Sequence, residues 1–158
     1  MPIRTLQGSL DATNLRIGIV VSRFNEFITE QLMNGALETL EKRGCAPENI
    51  QIVKVPGAWE LAIAAKQLAS RQCHAIVALG AVIRGDTPHF DYVAGGAADG
   101  LNRVSLETGV PIAFGVLTTD DLQQAMDRAG GKSGNKGAEA ADVAIELANL
   151  LRQLKEIG

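Results

Sequence analysis

Apolar positions along this chain alternate between two rhythms. Leu15-Arg-Ile-Gly-Ile-Val-Val-Ser22 is a near-continuous β-branched run, the pattern of a parallel strand covered on both faces. Phe27, Ile28, Leu32, Ala36, Leu37 and Leu40 then recur at helical spacing, with Asn25 placed to cap the helix and Gly44 to stop it. Ile50 to Val55 alternates and predicts a second strand, broken by Pro56-Gly57. Trp59 to Ser70 predicts a packed helix, Ala75 to Leu79 a third strand, and Phe90 to Thr108 a third helix. That helix carries Gly95, Gly96 and Gly100. Each costs about 1 kcal/mol against alanine, which suits a helix pressed close to a neighbour. Pro111 to Leu117 predicts a fourth strand, and Asp120 a cap for a helix reaching about Ala129. A glycine-rich linker, Gly130 to Gly134, leads to a last helix from Lys136 to about Leu154. Met1 to Asn14 reads as an arm of the kind that pairs with a neighbouring subunit.

Strand–helix alternation of this kind predicts an α/β fold, a doubly wound parallel sheet with helices on both faces. At 158 residues the chain suggests one domain, and 46% apolar content is enough for a real core. The formal charge of −3, with no Lys/Arg cluster, argues against a nucleic-acid surface. Cys45 and Cys73 have neither metal nor redox spacing and read as ordinary thiols in a reducing compartment. The N-terminus lacks the apolar run of a signal peptide, and no stretch has the length to cross a bilayer. The expectation is a cytoplasmic globular protein with no nucleic-acid or membrane partner.

Residues with chemistry to offer gather at strand carboxyl ends, where parallel α/β sheets bind ligands. Ser22 to Asn25 follow the first strand, Val55 to Glu60 the second, Gly80 to His89 the third, and Thr118 to Asp120 the fourth. The third of these offers the Arg84 cation, the Thr87 hydroxyl, backbone N–H groups near Gly85, and His89, one of two histidines. Such a set suits an anionic ligand undergoing proton transfer. The chain has four Phe, one Trp and one Tyr, and two of these, Phe24 and Trp59, fall in strand-end segments. Structural readings stand beside the chemical ones. Phe24 covers a helix end, Trp59 packs beside Pro56-Gly57, Glu60 complements a helix dipole, His89 caps its helix, Arg84 pairs with Asp86 or Asp91, and Arg128 suits a helix C-terminus. Gly130 to Ser133 is no P-loop, because Met126 stands where the pattern needs glycine and a helix precedes it. A flavin-binding electron carrier would need a phosphate loop after the first strand, for which Ser22-Arg23-Phe24-Asn25 is poor. No Cys/His ligand cluster is visible, and Ser22 lacks the context of a nucleophile elbow.

Five motifs in unbroken order resemble the lumazine synthase family. They are Gly18-Ile-Val-Val-Ser-Arg-Phe-Asn25; Val55-Pro-Gly-Ala-Trp-Glu60; Gly80-Ala-Val-Ile-Arg-Gly85 with His89-Phe-Asp-Tyr92; Gly109-Val-Pro-Ile-Ala-Phe-Gly-Val-Leu-Thr-Thr119; and Arg128-Ala-Gly130 with Gly134-Asn-Lys-Gly137. The resemblance runs from about Gly8 to Leu151. It implies a flavodoxin-like three-layer α/β/α sandwich with a four-stranded parallel sheet. It also implies a transferase of riboflavin biosynthesis that condenses 5-amino-6-(D-ribitylamino)uracil with 3,4-dihydroxy-2-butanone 4-phosphate. The products are 6,7-dimethyl-8-ribityllumazine, phosphate and water, and no cofactor or metal takes part. The implied assembly is a pentamer with sites shared between neighbours, a sixty-subunit shell being favoured here, and riboflavin synthase joins the candidate partners.

Carried over by motif, Phe24 would stack on the pyrimidine, while Ala58, Trp59 and Glu60 line the ribityl chain. Ala81, Val82 and Ile83 would present backbone groups to the pyrimidine edge, and Asp86 and Thr87 would lie at the butanone phosphate. His89 would shuttle protons. Phe114 and Arg128 would reach in from the adjacent subunit, Arg128 to the phosphate. Two departures stand out: Trp59 occupies a position where many members have Phe, and the Asp86 carboxylate would repel phosphate, so only its N–H is expected to take part. General chemistry agrees with the resemblance. Attack of an amine on a ketone needs proton transfers that an imidazole performs near neutral pH, phosphate needs a cationic cradle, and a planar pyrimidine needs an aromatic face.

Overall fold

The computed structural model describes residues 2–157. Strand β1 (Ile17–Ser22), buried at every position, pairs in parallel with β2 (Ile50–Val55) on one side and β3 (Ala75–Ile83) on the other. Strand β4 (Ile112–Thr119) adds in parallel to β3, which gives the order β2-β1-β3-β4. The two inner strands, β1 and β3, are the continuous apolar runs of the sequence. Edge strand β2 is the alternating one, with Gln51, Ile52 and Lys54 facing outward in part.

Helices cover both faces. On one side α1 (Glu26–Lys42), α4 (Leu122–Arg128) and α5 (Lys136–Glu156) enclose a core of Leu15, Ile17, Ile19, Ile28, Leu32, Leu40 and Ile145. On the other, α2 (Leu61–Ala69) and α3 (His89–Thr108) pack over Val20, Leu68, Ile76, Ala78 and Val116. The fold is the three-layer, flavodoxin-like sandwich. The chain leaves β1 for β2 and returns past it to β3, so the crevice between the carboxyl ends of β1 and β3 is the switch point where such sheets take ligands.

Several local expectations change. Strand β3 runs four residues past Leu79, so Gly80 to Ile83 are strand and not loop. Gly80 is a packing glycine there: a Cβ would stand 3.0 Å from the Ser22 hydroxyl and 3.4 Å from Leu61. Strand β4 likewise continues to Thr119. Asn25 holds the position before α1 in the left-handed region (φ 62°) and makes no capping hydrogen bond; its side chain donates to the Ala81 carbonyl at 3.2 Å. The cap of α4 is Asp121, whose carboxylate accepts from Gln124 N at 2.8 Å, while the neighbouring Asp120 carboxylate is engaged by Arg84. The glycine-rich linker is a small antiparallel ribbon, β5 (Ala129–Gly131) with β6 (Gly134–Asn135).

From Pro2 to Ala12 the N-terminal arm has no regular structure, yet its second half lies along the last helix of the same chain. Asn149 Nδ2 donates to the carbonyls of Ser9 and Asp11, both at 2.9 Å, and Gln153 to that of Gln7. Gly8 is required there, since a Cβ would run into the backbone of Glu146. The glycines of α3 divide: Gly96 and Gly100 face the Trp59–Ala62 segment at close range, whereas no described atom stands within 4 Å of a Cβ on Gly95. Among the described residues no helix is long and apolar enough to cross a membrane.

Candidate active site

Three strand ends are sewn together at the switch point. After β1, Arg23 N donates to Val55 O at 2.9 Å and Phe24 N to Pro56 O at 3.0 Å, which locks the segment after β1 to the segment after β2. The Asn25 side chain then reaches Ala81 in β3. These bonds consume the backbone and leave the Phe24 ring free, 70% exposed despite being aromatic. After β2, a 3-10 turn (Ala58–Glu60) starts on Gly57, where the Glu60 carboxylate folds back to within 3.2 Å of a would-be Cβ. Ala58 is buried, while Trp59 is 61% exposed with its indole laid against Gly96 of α3.

The third strand end is braced from the fourth. Arg84 N donates to Thr119 O at 2.8 Å and Arg84 Nε to the Asp120 carboxylate at 3.0 Å. Its guanidinium stacks over the Phe90 ring, 4.4 Å from the centroid, and lies 3.7 Å from Asp91. Of the two partners expected for Arg84, Asp91 is present and Asp86 is not; the closer partner is Asp120, which the sequence did not single out for this role. The segment that follows carries Gly85 to Pro88 into α3, whose first residue is His89; its N–H approaches the Thr87 hydroxyl at 3.4 Å.

The result is one open pocket of about 800 Å³. Phe24, Ala58, Trp59, Glu60, Ala81, Val82, Ile83, Thr87 and His89 line it together, joined by Phe90, Tyr92 and Val93 from α3. An aromatic face, a carboxylate, an imidazole and a run of strand backbone thus surround a space fit for a planar ring with a polar tail. Three expected residues lie outside this lining. Asp86 is exposed beside it. Phe114 stands on edge strand β4, 38% exposed. Arg128, at the end of α4, lines a second recess of about 360 Å³ with Gln124, Ser133, Lys136 and Glu139, and its Nη1 donates to Gln124 O at 3.0 Å. Sequence reasoning passed over Lys136 and Tyr92, although both lie inside the quoted motifs. Lys136 follows directly on the ribbon after Arg128, and Tyr92 is one helical turn beyond His89.

The chain matches the profile of the 6,7-dimethyl-8-ribityllumazine synthase family over residues 14–152. It is 50% identical over 153 residues to the 6,7-dimethyl-8-ribityllumazine synthase of Nitratidesulfovibrio vulgaris strain Miyazaki F, covering 96% of this chain and 98% of the relative. The enzyme of the same name from strain DP4 is 52% identical with the same coverage.

This chain belongs to the 6,7-dimethyl-8-ribityllumazine synthase family.

It is an enzyme of riboflavin biosynthesis, and its reaction is the formation of 6,7-dimethyl-8-ribityllumazine. The matched span takes in the pocket at the switch point and the Arg128 recess, and leaves residues 1–13 and 153–158 outside.

Proposed function

We propose that the pocket between the ends of β1 and β3 is where 5-amino-6-(D-ribitylamino)uracil meets 3,4-dihydroxy-2-butanone 4-phosphate. The observation that carries this reading is the meeting in one pocket of Phe24, Glu60 and His89, which come from three different strand ends. Phe24 stacks on the pyrimidine, and the backbone of Ala81, Val82 and Ile83 pairs with its edge. Ala58, Trp59 and Glu60 hold the ribityl chain, Glu60 accepting from its hydroxyls. Thr87 and the backbone N–H of Asp86 attend the butanone phosphate. His89 takes the proton lost by the attacking amine and returns one to the departing hydroxyl. Holding two substrates in contact supplies a large share of the rate.

Phe114 and Arg128 complete the site of a neighbouring subunit in this reading. Support comes from their lying outside the larger pocket of their own chain, with Phe114 turned outward on an edge strand. The exposed Phe27, Ile63, Tyr92 and Leu106 are apolar surface that a monomer would leave in water. The assembly is a pentamer, with the sixty-subunit shell as its larger form. It works in the cytoplasm, where riboflavin synthase consumes the product.

Binding of the ribitylaminouracil tests the pocket. Phe24→Ala should weaken it by about 1–2 kcal/mol, the scale of a lost aromatic contact plus lost burial, while Phe24→Tyr keeps most of the affinity. Equal binding by wild type and Phe24→Ala would remove the stacking role.

A further inference from the structure

The indole of Trp59 rests on a glycine. A Cβ built on Gly96 would stand 2.8 Å from Trp59 Cε3 and 3.3 Å from Cη2, and closer still to Cζ3. All three atoms belong to the six-membered ring that a phenylalanine at position 59 would not extend as far. One turn further along α3, a Cβ on Gly100 would stand 2.8 Å from the Ala62 side chain. The helix therefore approaches the Trp59–Ala62 segment at two successive turns, and it has no slack to withdraw at Gly96 alone. Leu61, between the two contacts, is fully buried and anchors the segment from its other side. Trp59, 61% exposed, is the part free to give. It lines the pocket, as do His89 and Val93, which share with Gly96 one face of α3.

We infer that Gly96 is a positioning residue for the ribityl half of the site: its missing side chain lets the benzo-ring edge of Trp59 close against α3 and so sets where that wall of the pocket stands. The inference rests on the reading of Trp59 as a wall against the ribityl chain. Gly96 itself touches no substrate. Any side chain at position 96 lifts the indole off the helix and shifts the wall, with little cost to the fold, because alanine favours a helix over glycine and the displaced ring is already near solvent.

The test is Gly96→Ala in two backgrounds, Trp59 and Trp59→Phe. Trp59 is the chain's one tryptophan, so its fluorescence and its quenching by acrylamide report the indole directly, whatever the substrate. In Gly96→Ala the emission and quenching should change, the KM for the ribitylaminouracil should rise roughly 3- to 10-fold, the scale of one lost aromatic contact, and kcat should hold. Adding Gly96→Ala to Trp59→Phe should leave that variant's KM unmoved, since the shorter ring leaves room. Unchanged fluorescence in Gly96→Ala overturns the inference while leaving the pocket assignment intact. Changed fluorescence with unchanged KM overturns it too, and places the fault in the reading of Trp59 as the ribityl wall. An equal rise of KM in both backgrounds means that Gly96 acts on the helix and not through the indole, which also overturns it.

Discussion

Arg84 Nε donates to the Asp120 carboxylate across 3.0 Å, and this bond joins the segment after β3 to the segment after β4. Both side chains are roughly half or more exposed, so the pair contributes little to stability, about 0.2–1 kcal/mol on the scale of surface ion pairs. Its effect is geometric. Arg84 is the last fixed point before Gly85 to Pro88 and the helix that begins with His89, and its guanidinium also covers the ring of Phe90. Arg84→Ala should therefore lower kcat/KM by about 10- to 100-fold, because small displacements of a reacting group cost on that scale, with urea stability changed by less than about 1 kcal/mol. Steady-state kinetics and urea denaturation of the same preparation check both halves. Full activity in Arg84→Ala would show that the brace does not orient the site.

His89 is expected to act in the chemical step more than in binding. His89→Ala should lose about 10- to 10⁴-fold in kcat, the usual range for a general acid–base group, with KM for either substrate little altered. Activity should survive at a low level, since proximity of the substrates persists without the imidazole. Wild-type turnover by the variant would take His89 out of the mechanism.

The other histidine should show itself in stability. His74 precedes β3 at the amino ends of the inner strands, opposite the pocket, where its Nδ1 accepts from Arg16 N at 2.8 Å. Burial pushes its imidazole below the ordinary 6.5, and the positive charges of Arg16, Arg152 and Lys155 push the same way. The folded protein thus binds this proton less readily than the unfolded chain. The contribution to stability is complete above about pH 6.5 and is lost as the pH falls through the lower folded value. Urea midpoints should fall between pH 7.5 and 5, and His74→Asn, which keeps an acceptor for Arg16 N–H without a titrating ring, should show a smaller fall. The same fall in both proteins would assign the acid sensitivity to other groups.

Much of this was legible along the chain because it depends on local pattern. The unbroken apolar runs at β1 and β3 announce strands covered twice, and the turn residues after them announce strand ends, so Phe24, Glu60 and His89 could be gathered before any coordinates. What escaped depends on packing between distant segments. Gly80 reads as a strand stop, yet it continues β3 because the Ser22 hydroxyl and Leu61 occupy the room a side chain would need. Asp120 and Asp121 are equivalent as caps until Arg84 claims the first. Asn25 has the residue type of a cap and spends its amide on Ala81 instead. The contact of Trp59 with Gly96 joins positions in different helical segments and leaves no trace in spacing. Arg128 and His89, which the family resemblance assigned to different subunits of one site, line two different recesses of this chain.

Subunit mixing tests most directly whether these two recesses meet across a boundary. Arg128→Ala and His89→Ala proteins, each weakly active alone, are dissociated, combined and reassembled, with exchange verified by mass labels. A site that takes His89 from one subunit and Arg128 from its neighbour will be intact wherever an Arg128→Ala subunit supplies the histidine and a His89→Ala subunit the arginine. The account predicts lumazine formation above the average of the two parents. Activity equal to that average, with exchange complete, would place both residues in the site of a single subunit and contradict the shared site.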